Sequence, residues 1–99
     1  MERRVFITKV RPERRAEYIQ AHATVSAEIL VLYGKAGMRH CSVYLEGDDL
    51  VLILEGEDLD AILARLAEDP VDRAWQSRVG PMKADGDWRL AGAIFSEDW

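Results

Sequence analysis

The chain has 99 residues, of which 48% are hydrophobic and 31% charged, with a net charge of −5. That composition suits one soluble globular domain with a single core and is too short for two. The acidic balance, with Lys and Arg dispersed rather than gathered into a stripe, argues against a nucleic-acid partner. Cys41 is the only cysteine, so no internal disulfide forms. No stretch reaches 18 consecutive apolar residues, so no membrane span is expected. The first residues lack the apolar run of a signal peptide. A cytoplasmic protein with a reduced structural thiol is the expectation. His22, His40 and the carboxylates stand at no recognisable metal-ligand spacing, so neither metal nor cofactor is expected.

Along the chain, residues 5–10 are β-branched and aromatic with apolar side chains at both parities, which predicts a strand covered on both faces. Pro12 then opens an amphipathic stretch. Ala16, Ile19, Ala23, Ala27 and Leu30 recur every three or four residues, predicting one helix of about 20 residues to Tyr33. Gly34 and Gly37 close it. Met38–Leu45 and Leu50–Glu55 read as two strands joined by a hairpin turn over residues 46–49. The second is the most apolar run and should be central. Asp58 is a fitting N-cap for a helix carrying Leu59, Ile62, Leu63 and Leu66. Residues 68–70 interrupt it, and Pro70 begins a further helical stretch with Val71, Trp75 and Val79. Trp88–Phe95 reads as the last strand.

The order βαββαβ is that of the α+β ferredoxin-like arrangement, an antiparallel sheet with its helices on one face. Phe6, Val10 and residues 50–54 would place large apolar side chains on the other face. A second copy of the chain is the economical cover, giving a homodimeric α/β barrel. The alternative is a monomer whose modest apolar face meets solvent or a small ligand.

Tyr18 and His22 stand four residues apart, so a helix stacks phenol and imidazole on one side. An unperturbed imidazole both gives and takes a proton near neutral pH. The same spacing also suits a partly buried pair satisfied by its neighbours. Arg39 offers a donor fork for a ligand hydroxyl or carboxylate, or for an edge salt bridge. His40, Ser42 and Tyr44 alternate onto one sheet face and would line a pocket together. Glu28 falls on a different helical face from His22 and reads as structural.

The order of elements, together with Tyr18-x-x-x-His22, Glu28, the segment 37–45 (Gly-Met-Arg-His-Cys-Ser-Val-Tyr-Leu), Asp69-Pro70, Trp75 and Ala93-Ile-Phe95, resembles the L-rhamnose mutarotase family over nearly the whole chain. The resemblance implies a dimeric ferredoxin-like protein that interconverts the α and β anomers of a deoxyhexose without a cofactor. It implies His22 as the proton-transferring residue, Tyr18 as a ligand-binding tyrosine and Trp75 as an aromatic wall for the sugar. An aromatic face suits the C–H face of a sugar, although Trp75 also fits simple packing on the sheet. This chain departs from the family pattern in three places. Ser26-Ala27 replaces a Trp-Pro pair, Ala74-Trp75 replaces two adjacent tryptophans, and the segment 83–88 is shortened. A weaker similarity, carried by Arg78-Val-Gly80-Pro81 and the terminal residues 94–99, is to small aromatic polyketide cyclases of the same fold. A non-catalytic, small-ligand-binding dimer is the third alternative.

Overall fold

The computed structural model describes residues 1–84 and 86–97; Asp85, within the shortened segment, and Asp98 and Trp99, at the end of the cyclase-like stretch, lie outside them. The elements are β1 (Glu2–Lys9), α1 (Arg15–Ala23), α2 (Ala27–Ala36), β2 (Met38–Glu46), β3 (Asp49–Gly56), α3 (Leu59–Glu68), α4 (Pro70–Val79) and β4 (Arg89–Ala91). Short 3₁₀ turns at Pro12–Arg14 and Gly80–Met82 lead into α1 and out of α4. The four strands form one antiparallel sheet in the order β2-β3-β1-β4. The apolar strand β3 is indeed internal. The α+β ferredoxin-like fold expected from the sequence is present.

Three local expectations are corrected. The first helix is not continuous but breaks into α1 and α2 at residues 24–26. There the Thr24 hydroxyl donates back to Gln20 O at 3.2 Å, and the Ser26 hydroxyl accepts from Ile29 N at 3.4 Å. Side-chain oxygens that bond the local backbone end one helix and cap the next. The apolar periodicity runs through this break unchanged, which is why it reads as one helix. Second, the last strand is only Arg89–Ala91, and no described residue from Gly92 onward pairs in the sheet.

The third correction concerns the faces of the sheet. Phe6 pairs with Leu52 and Thr8 with Leu50, and β2 sets Val43 beside Leu52 and Leu45 beside Leu50. Leu50 and Leu54 are buried, and Phe6 and Leu52 pack against the cluster of Leu54, Leu59, Ile62 and Leu66. Val10 is buried with Tyr18, Val79 and Met82. Phe6 and Val10 therefore belong to the helix-covered face, because the count of alternate residues fixes parity but not which parity faces the helices. The open face carries Val5, Ile7, Val51, Ile53 and Tyr44 instead, with Ile7 37% and Tyr44 56% exposed.

The helix-covered side is tied at its ends by short-range chemistry. Asp58 caps α3 by accepting from Ala61 N at 3.2 Å, and Glu2 Oε1 accepts from Leu59 N at 2.7 Å, joining β1 to the same helix start. Asp69 caps α4 by accepting from Val71 N at 2.9 Å, with Pro70 as the first helical residue. These caps fix the direction in which α4 presents its side chains to the sheet.

Candidate active site

Between the inner face of the sheet and the helices lies a cavity of about 1170 Å³, open to solvent and lined in part by Tyr18, His22, Tyr33, Cys41, Asp72 and Trp75. It exceeds the roughly 300–1,000 Å³ usual for a small-molecule site, so a monosaccharide fills only part of it. The helical turn of α1 stacks Tyr18 and His22 as its spacing requires, with ring centroids 4.4 Å apart and planes tilted by 34°. Trp75, brought in by α4, meets the His22 ring edge-on at 5.2 Å and 75°. Three rings from two helices thus converge on one wall.

The imidazole is held in one orientation. His22 Nδ1 lies 2.9 Å from Tyr18 O, and a carbonyl oxygen only accepts, so Nδ1 carries a proton. In the neutral ring Nε2 is then an acceptor, and no described residue bonds to it. Tyr18 is 4% exposed, and burial, with a smaller contribution from the Cys41 thiol, pushes its phenol up to about 12. It stays a neutral hydrogen-bond donor throughout the physiological range.

A second polar group faces the same cavity. Tyr33 of α2 donates to Asp72 Oδ1 of α4 at 2.5 Å, and Gln76 Nε2 lies 3.5 Å from the same oxygen. Burial and the Asp72 carboxylate push the Tyr33 phenol up, so it remains the donor. Cys41 is open to the cavity rather than packed in a core, and the surrounding protein, with Asp72, pushes its thiol up. Tyr33, Asp72 and Cys41 were not singled out for a site from the sequence. The one signal available was the i, i+3, i+4 spacing of Asp72, Trp75 and Gln76, which puts all three on one side of α4.

The remaining sequence candidates part company with this cluster. Arg39, His40 and Tyr44 border the cavity along the edge strand β2. Yet His40, Ser42 and Tyr44 pair opposite Glu55, Ile53 and Val51, on the open face, and His40 Nε2 meets Ser42 Oγ there at 2.9 Å. The three do share a face, as alternation predicts, but it is turned away from His22. Arg39 is the additional residue of an irregularity between Met38 and His40 and is exposed. Among the described residues no group of three His, Cys, Asp or Glu side chains is placed to hold a metal ion, and no helix is long and apolar enough to cross a membrane.

The sequence profile of L-rhamnose mutarotases matches residues 3–96. The chain belongs to the L-rhamnose mutarotase family. The crystal structure of an L-rhamnose mutarotase from Formosa agariphila superposes with a TM-score of 0.83 over 99% of this chain and 100% of that one, at 14% identity. Tetracenomycin F2 cyclase from Streptomyces glaucescens, a type II polyketide cyclase, gives a TM-score of 0.71 at 20% identity over 100% and 99% of the two chains. An antibiotic biosynthesis monooxygenase homologue from Bordetella bronchiseptica gives 0.70 at 15% identity over 94% and 96%. No curated protein sequence matches the chain. At these identities the structural likenesses speak for the fold alone, and the cyclase alternative has no further support.

Tyr18, His22 and Trp75 are the three rings that meet in the cavity. Ser26 is the N-cap of α2, and Ala27 is that helix's first residue. Ala74 is exposed beside Trp75.

Proposed function

We propose that the protein interconverts the α and β anomers of L-rhamnose or a closely related deoxyhexose, with His22 as the proton carrier and Tyr18 and Trp75 as binding residues. The observation that supports this most is the imidazole itself: it lines a cavity that admits a monosaccharide, between two aromatic rings, with Nδ1 protonated and Nε2 free to accept. In the reaction Nε2 takes the proton of the anomeric hydroxyl, the bond from the anomeric carbon to the ring oxygen breaks, and the imidazolium returns a proton to that oxygen. The open-chain aldehyde rotates about its bond to C2. Closure on the opposite face, with the two proton transfers reversed, gives the other anomer. No atom or electron is gained or lost over the cycle, so no cofactor is called for.

Each remaining group has a duty in this scheme. The neutral Tyr18 phenol donates a hydrogen bond to a sugar oxygen, and Trp75 covers the apolar C–H face. Two copies of the chain pair through the open sheet face, where Ile7, Tyr44 and their apolar neighbours otherwise meet water. His40 and Tyr44 then serve that interface rather than the sugar, while Arg39 at the border of the cavity remains a candidate for a sugar hydroxyl. The cytoplasm is the compartment that suits an unpaired, accessible thiol such as Cys41.

Saturation-transfer NMR on the anomeric protons tests the function directly, because uncatalysed exchange is slow. Rhamnose or a related sugar should show accelerated transfer in the presence of the protein. His22→Ala should lower that rate by about 10²-fold or more, the usual worth of a positioned acid or base, while the melting temperature and fold are kept. A panel of deoxyhexoses with no transfer would end the mutarotase reading. Activity that tracks only the amount of folded His22→Ala protein would move the proton chemistry elsewhere in the cavity.

A further inference from the structure

Asp72 is a buried carboxylate that the three-ring chemistry leaves unused. It is 5% exposed, and no Lys or Arg among the described residues forms an ion pair with it. Burying such a charge is costly unless its oxygens are satisfied. Oδ1 is satisfied by Tyr33 at 2.5 Å and, more weakly, by Gln76 at 3.5 Å. Oδ2 receives no hydrogen bond from a described residue. It is also not among the fully enclosed polar atoms that lack a partner, a set that among the described residues holds only Thr8 Oγ1. Oδ2 therefore keeps its access to the cavity. An ionised carboxylate only accepts, so what suits this oxygen is a hydroxyl or amine donor on a ligand.

The place of the carboxylate narrows the ligand further. Asp72 precedes Trp75 by three residues, about 4.5 Å along the axis of α4 and on the same side. Trp75 is the ring that touches His22. A pyranose lying along Trp75 with its anomeric end at His22 thus extends a ring hydroxyl towards Asp72. The charge of Asp72 also disfavours an anionic sugar. Lys83 borders the same cavity, but its ammonium lies 3.7 Å from Asp87 and 5.0 Å from the Trp88 ring centroid, so its charge is engaged away from Asp72.

We propose that Asp72, held by Tyr33, is the specificity-determining residue of the cavity, its Oδ2 accepting a hydrogen bond from one ring hydroxyl remote from the anomeric carbon. The substrate class is then a sugar that carries this hydroxyl and has no anionic group at that position. This assignment rests on the mutarotase reading above. It treats the Tyr33–Asp72 bond as the brace of a binding group, where the plainer alternative is a tie between α2 and α4 and nothing more.

Asp72→Asn separates the two. The amide keeps an oxygen for Tyr33 but turns a donor, without charge, towards the cavity. Anomer exchange and binding of rhamnose and its monodeoxy analogues are measured by saturation transfer with wild type, Asp72→Asn and Tyr33→Phe. The expected result is an increase in KM for rhamnose of about 10- to 100-fold with kcat nearly unchanged, the usual loss for a hydrogen bond to a charged group. One monodeoxy analogue should lose a similar factor with wild type and lose nothing further with Asp72→Asn. Tyr33→Phe should give the same analogue-selective pattern at smaller size, and it carries the test if Asp72→Asn does not fold. Wild type that exchanges rhamnose, with variants that weaken every analogue equally or none, would overturn the assignment alone. Wild type that exchanges no sugar overturns the mutarotase reading and the assignment with it.

Discussion

Single side chains in this protein are governed by what surrounds them more than by their type. Tyr18 shows this in its pH dependence. Its folded value of about 12 lies above the ordinary phenol value near 10, so on raising the pH the unfolded chain loses the proton first. Stability from this group is complete below about pH 10 and is lost as the pH climbs from 10 to 12. Tyr33, pushed in the same direction, adds to that loss. Thermal melts of wild type should fall across this window, and Tyr18→Phe should flatten part of the fall. Thr8 makes the opposite case: it is 2% exposed, and its hydroxyl has no partner among the described residues. Thr8→Val keeps the shape and removes the uncompensated group, so it should raise stability by about 1 kcal/mol. For a domain of this size that is a rise in melting temperature of about 4–8 °C. At this scale the sequence made legible the part of the candidate site that lies within one helical turn, the stacking of Tyr18 and His22. Tyr33 and Asp72 are 39 residues apart, and no local spacing announces that two helices bring them within hydrogen-bond reach.

Elements were legible wherever periodicity and caps agree. The strands β2 and β3, the turn between them and the helix capped by Asp58 follow their sequence signals closely, because alternation, turn residues and a capping oxygen all point the same way. The long first helix was misread where they disagree. The apolar repeat continues past residue 24, but two hydroxyl side chains bond the backbone and win. Ser26→Ala should therefore cost about 1 kcal/mol, seen as a lower urea midpoint with an unchanged slope. The glycine that ends α2 is demanding in another way. Gly37 has φ of +105°, and a Cβ there would stand 3.4 Å from Ile62 Cδ1. The space is adequate but the backbone conformation is unfavourable for any other L-residue, so Gly37→Ala should destabilise by about 1–2 kcal/mol in the same urea titration.

The whole molecule is one sheet with a helical layer on one side and exposed apolar residues on the other. If a second copy covers that side, sedimentation should give about twice the chain mass of 11.2 kDa. Ile7→Glu combined with Tyr44→Glu should return it to the single-chain mass, because a like charge is then buried opposite its symmetry mate. A wild-type monomer at micromolar concentration would leave that face without a use. The parity of β2 has one more consequence. Cys41 and Val43 lie on the helix-covered face of the sheet, while Ser42 and Tyr44, their immediate neighbours, lie on the open face. Two separate histories can therefore be written into one strand: changes at odd positions alter what the chain admits, and changes at even positions alter what it adheres to. A single-residue insertion early in β2 would exchange the two sets at a stroke, so this strand tolerates drift in its letters far better than drift in its length.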